Sequence, residues 1–124
     1  MSITLTNTIY GLLKANTGLT AIVGQNIYPL IAPQLVVAPL VIIRRSFNED
    51  YSKDGGAFFA STIEIKVFAT TYNQSIQIAQ IIDGILNFYA NSGNNIKTCR
   101  ITDCNEDFNE NEFIQNITYE LKNL

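Results

Sequence analysis

The chain has 124 residues, with 8 Lys plus Arg against 11 Asp plus Glu, no His, 47% hydrophobic and 15% charged residues, which fits one domain over residues 1–124 with an ordinary core. Without His there is no Ser-His-Asp or Cys-His nucleophile pair, no His-ligated zinc and no His general base. A net charge of -3 leaves too few cations for duplex nucleic acid, which is held by Lys and Arg on phosphates, so no nucleic-acid partner is expected.

In chain order, Leu5, Ile9, Leu12 and Leu13 fall on one helical stripe, with Ser2 or Thr4 as the cap and Gly18 as the stop. Leu19 to Gly24 reads as a short turn. Ile27, Tyr28, Pro29, Pro33 and Pro39 then predict an extended, irregular approach, because proline fixes its own φ and pushes the preceding residue out of the helical region. The run Leu40-Val41-Ile42-Ile43 predicts a strand covered on both faces, and Phe58 to Ala69 alternates like a half-buried antiparallel strand. Between them, Asn48 to Ala57 carries Glu49, Asp50, Lys53, Asp54 and a Gly-Gly pair, and predicts a mobile hairpin loop.

From Asn73 to Tyr89 the apolar residues cover about half of a helix circumference, at ~100° per residue. That width exceeds what one sheet contact needs, so a second element should touch this helix, either the first helix or another subunit. Two further strands follow, Ile96 to Thr102 and Glu112 to Leu121. The order helix-strand-strand-helix-strand-strand predicts an α+β two-layer sandwich, a four-stranded antiparallel sheet with two helices on one face. The other face collects Glu64, Lys66, Thr98, Arg100, Thr118 and Glu120 and should meet water.

Few residues group into a chemical constellation. The run Asp103, Asn105, Asp107, Asn109 has the spacing of a calcium loop, but Phe108 stands where the turn needs Gly, and Ile114 where a bidentate Glu closes the site. It reads as a solvated acidic hairpin loop. A metal-dependent enzyme using the 103–112 loop is an alternative of another class, as is a small monomeric adaptor. No glycine pattern matches a phosphate or dinucleotide loop, and strand alternation sends Arg44 and Arg45 to opposite faces. Cys99 and Cys104 lack CxxC spacing and read as isolated thiols. The longest apolar run, Leu35 to Ile43, falls short of the ~20 residues of a membrane span, and the opening segment lacks a positively charged region before an apolar stretch, so neither a membrane partner nor a signal peptide is expected. No catalytic residue, cofactor or metal is assigned, and a cytoplasmic origin is expected.

The assembled pattern resembles the tail-terminator, or tail-completion, family of long-tailed bacteriophages and prophages. The resemblance runs through Leu19-Thr20-Ala21-Ile22-Val23-Gly24, Ile27-Tyr28-Pro29, Pro33-Gln34 and Ala38-Pro39-Leu40-Val41-Ile42-Ile43, then the strand Ser61 to Phe68, the helix Tyr72 to Tyr89, the acidic hairpin and the strand Phe113 to Leu121. It implies a non-enzymatic virion protein at the head–tail junction. Such a protein forms a ring, commonly a hexamer, that caps the head-proximal end of the tail tube, stops tube polymerisation and offers a head-tail joining surface. Its partners would be further copies of itself, the tail tube protein and the head–tail connector protein. Interface candidates are Glu49, Asp50, Tyr51, Lys53 and Asp54 in the charged loop, and Ile81 and Phe88 on one edge of the wide helix, where unburied side chains would each forgo ~1.5–3 kcal/mol.

Overall fold

The computed structural model describes residues 5–51, 57–91, 93 and 96–123. The opening stripe forms α1 (Leu5–Ala15) with Leu5, Ile9 and Leu13 buried; the expected caps Ser2 and Thr4 lie outside the described residues. α1 stops before Gly18 because Asn16 begins a second helix, α2 (Thr17–Val23), its side-chain oxygen accepting from the Leu19 N–H at 2.9 Å. That bond satisfies one of the donors a helix start leaves open. The expected short turn is thus helical, and it closes at Gly24, whose φ of 59° suits a residue without Cβ.

The remaining elements are β1 (Ile27–Pro29), β2 (Leu40–Tyr51), β3 (Ala57–Ala69), α3 (Tyr72–Leu86), β4 (Ile96–Asn109) and β5 (Glu112–Asn123). They form a five-stranded sheet in the order β1-β2-β3-β5-β4. β1 runs parallel to β2, and the other neighbours are antiparallel. The class is α+β as expected, but the sheet is mixed rather than four-stranded antiparallel, and there are three helices rather than two. Ile27-Tyr28-Pro29 is too short to show a period, yet it pairs along β2 at the sheet edge, where a strand tolerates Pro29.

Two expected loops are strand. β2 and β3 stay paired out to Tyr51 and Ala57, so Asn48 to Tyr51 and Ala57 belong to the hairpin arms. The strand formers Phe58 and Phe59, partners of Asp50 and Glu49, favour continuing the ladder; residues 52–56 lie outside the described residues. The acidic run 103–109 continues β4 against β5, with a register shift between Ile101 and Asp103. The hairpin turns at Glu110-Asn111, whose φ values of 50° and 65° match the tight turn that follows strand twist.

All three helices pack on one face over Val41, Ile43, Ile63, Ile65, Val67, Ile117, Tyr119 and Leu121. α3 is capped by Thr71, whose hydroxyl accepts from the Gln74 N–H at 3.2 Å, and it contacts α1, α2, β3, β4 and β5. Its broad apolar arc is used within the chain: Ile78, Ile82 and Leu86 are fully buried, while Ala79, Ile81 and Ile85 pack against the core. On the other face Glu64 and Lys66 are exposed. One apolar row, Leu40, Phe68 and Ile114 in register, crosses β2, β3 and β5 there, with Leu40 and Ile114 buried.

Candidate functional site

Residues 30–39 join β1 to β2 and are held at their base. The Asn26 side-chain amide donates to the Pro39 carbonyl at 3.3 Å, and the Leu30 N–H donates to the Ile43 carbonyl at 2.7 Å. Above that base Leu30 is 69% exposed, Ile31 75%, Leu35 99% and Val37 74%. Residues 15–43 contain no charged side chain, so nothing charged accompanies this apolar group into water. Leu30 and Leu35 also adopt φ of 69° and 68°, a left-handed backbone that bulky L-residues avoid at a cost on the order of 1 kcal/mol or more.

At the opposite edge of the sheet, backbone groups of β4 are covered by local partners. Asn87 Oδ1 accepts from the Ile101 N–H at 3.1 Å, Asp103 Oδ1 from the Cys104 N–H at 2.9 Å, and Asp107 Oδ1 from the Phe108 N–H at 2.8 Å, while the Phe88 N–H donates to the Cys99 carbonyl at 2.7 Å. This occupation blunts an edge that would otherwise template another strand, and it explains how acidic residues come to sit in a strand. Phe88 is 69% exposed with φ of 67°, and the Arg100 guanidinium lies 4.9 Å from its ring centroid. Ile101, Cys104 and Phe108 are exposed along the same strand.

A polar cluster ties the β4–β5 hairpin to the start of α3. The Gln115 side-chain amide donates to Glu106 Oε2 at 2.9 Å and to Ser75 Oγ at 3.2 Å; the Tyr72 hydroxyl donates to Glu106 Oε1 at 3.3 Å. These donors, Gln115 first, hold the Glu106 carboxyl below its usual range, and the Glu106 carboxylate pushes Tyr72 up. Deeper in, the Tyr119 hydroxyl donates to Asp83 Oδ1 at 2.8 Å, and burial, then Asp83, raises Tyr119. Burial and then Asp83 push the Cys99 thiol up to about 12, and burial raises Cys104, which makes both poor nucleophiles at neutral pH. A shallow concavity of about 280 Å³ on the polar face is lined by Glu64, Lys66, Asp103, Asn105, Asn116 and Thr118. Among the described residues no three His, Cys, Asp or Glu side chains converge as metal ligands.

The expected interface residues separate. Glu49, Asp50 and Tyr51 are strand residues of β2, and Lys53 and Asp54 lie outside the described residues. Ile81 packs against the core, whereas Phe88 is exposed. Phe88 is not on the helix as expected: α3 ends at Leu86, and Asn87 and Phe88 turn onto β4 through the two bonds given above. Sequence reasoning missed the 30–37 apolar group. Its signal was present in the charge-free stretch 15–43, since connections in a folded chain are ordinarily polar.

No curated protein sequence matches the chain significantly. Among solved structures it is similar to a chain of the "Virion of native gene transfer agent (GTA) particle", with a TM-score of 0.80 at 14% identity over 96% of this chain and 93% of that one. That likeness shows a shared fold. Residues 7–115 match the family described as Tail completion protein gp17, so the chain belongs to that family and is a structural protein of a phage tail.

Proposed function

We propose that the chain forms a closed ring, a hexamer in the family pattern, on the head-proximal end of the tail tube, where it stops polymerisation and offers the head–tail connector a docking surface. The observation that carries this reading is the placement of exposed apolar groups, Leu30, Ile31, Leu35 and Val37 beside β1 and Phe88 with Ile101 beside β4, at opposite edges of one sheet. A ring joins two different patches of each subunit and closes by rotation, and this chain carries two such patches. The Tyr51–Ala57 end of the β2–β3 pair and the β4–β5 turn lie at opposite ends of the strands, which suits a subunit that faces the tube on one side and the connector on the other. In this reading Glu49, Asp50, Tyr51, Lys53 and Asp54 supply one axial contact.

Light scattering of the purified protein over a concentration series tests the ring, with electron microscopy of tails assembled with and without it as the second arm. A closed oligomer, together with tubes that overgrow in its absence, is the expected result. A monomer mass throughout, or tubes of normal length without the protein, would overturn it.

A further inference from the structure

We propose that neighbouring copies are joined by the 30–39 connection of one copy packing onto the β4 edge of the next, with Leu35 seated against Phe88 and Ile101. This rests on the ring reading and names its joint. The first support is a coincidence of strain with exposure. Among the described residues, non-glycine residues at positive φ are Leu30, Leu35, Phe88, Glu110 and Asn111. Glu110 and Asn111 form the β4–β5 turn. The other three are large apolar side chains, all more than two-thirds exposed, and they fall only on the two patches. Strained backbone persists where the surroundings or a partner over-determine it.

The second support is chemical fit. The connection is uncharged from residue 30 to residue 39, and four of its large apolar side chains are more than two-thirds exposed, whereas the largest apolar patch of a typical monomer, ~300–600 Å², is itself often functional. A stable interface takes ~800 Å² from each partner, and this loop is the apolar part of one such side. The facing patch offers a ring, an aliphatic side chain and the Arg100 stem. The third support concerns the mode of contact. Because Asn87, Asp103 and Asp107 already cover β4 amides, a neighbour cannot extend the sheet there by regular strand pairing, and the joint must be made by side chains. An irregular apolar loop fits that requirement and a strand does not.

A heterologous joint makes a test that neither a loop–loop contact nor a tube contact can imitate. Leu35→Asp spoils the loop and leaves the edge intact, whereas Phe88→Asp spoils the edge and leaves the loop. Each variant alone should run as a folded monomer by light scattering with unchanged circular dichroism. Mixed in equal amounts, they should give a dimer, since one good loop meets one good edge, and no ring. In addition, Leu35→Cys combined with Ile101→Cys in a Cys104→Ser background should cross-link between copies under mild oxidation, giving a ladder that neither added cysteine gives alone. A wild-type monomer at every concentration would remove the ring reading and the joint with it. Rings that persist in both variants, a mixture that stays monomeric, or a Leu35→Asp ring that has lost only its binding to purified tail tubes would each overturn the joint and leave the ring. Leu35 is almost fully exposed, so the outcome for its variant does not depend on whether Phe88→Asp folds.

Discussion

Leucine, isoleucine and valine are used twice in this chain with opposite outcomes. Between the helices and the sheet, Ile63, Ile65 and Val67 of β3 and Ile78 and Ile82 of α3 are wholly buried, while in the β1–β2 connection Leu30, Ile31, Leu35 and Val37 stand in solvent. The residue types are the same. What differs is periodicity. The buried group repeats every second residue along β3 or every third to fourth along α3, so one face can be covered at once. The exposed group is interrupted by Pro33 and has no period that one neighbouring element could match. Each exposed side chain forgoes ~1.5–3 kcal/mol of burial, and an apolar patch that is not covered by its own chain marks a contact surface.

The sharpest way to break this contrast is to truncate one residue from each group. Ile65→Ala removes a buried branched side chain from the sheet centre and should cost about 2–5 kcal/mol of unfolding free energy. Leu35→Ala, measured in a monomeric background such as Phe88→Asp, should change stability by less than about 0.5 kcal/mol. Urea denaturation followed by circular dichroism reads both. A cost above about 1 kcal/mol for Leu35→Ala in the monomer would place the loop in the intramolecular fold and end the contrast.

A smaller effect is expected where the core contains a polar contact. Tyr119 is fully buried and its hydroxyl donates to Asp83, so Tyr119→Phe should cost about 1–3 kcal/mol through the donor that Asp83 loses. The same residue sets an alkaline limit. Its folded pKa is raised above the usual 10.0, so the contribution is complete below that value and is lost as pH rises past it, when only the unfolded chain ionises. Cys99 acts in the same direction earlier, from its usual 9.0 towards about 12. Stability should therefore fall above about pH 9, and Tyr119→Phe should flatten the part of the fall that lies above pH 10.

The contrast also marks what the sequence could disclose. The stripe of α1, the alternation of β3 and β5 and the α+β class follow from hydrophobic period, because burial on one face leaves a regular trace. β1 left none, being three residues long. The strand from Asp103 to Asn109 was hidden by its own composition: acidic residues disfavour strands, but pairing with β5 and the Asp–amide contacts override that preference. Phe88 continued the apolar arc of α3 in sequence, yet the chain leaves the helix at Asn87 for β4, a long-range bond that no local pattern encodes. The apolar surface at Leu30 to Val37 showed only as missing charge.

The smallest expected effect lies at the β4–β5 hairpin, the polar counterpart of the exposed loop. Glu106 accepts from Gln115 and Tyr72, and its folded pKa lies below the usual 4.5. A carboxyl with a depressed folded pKa stabilises at pH values above its unfolded pKa, and the contribution disappears as pH falls through the folded one. Glu106 is a surface group, so solvent screens most of the gain. The chain should thus lose a minor share of its stability below about pH 4.5, and Glu106→Gln should remove the pH dependence of that share while leaving the alkaline fall from Cys99 and Tyr119 unchanged. Thermal melts at stepped pH distinguish these limbs. Because Glu106 also raises Tyr72 and Cys104, the comparison is made in a Tyr72→Phe, Cys104→Ser background; if Glu106→Gln altered the alkaline limb there, the hairpin cluster and the Tyr119–Asp83 contact would be one network, and the polar edge would be coupled to the core rather than set apart from it.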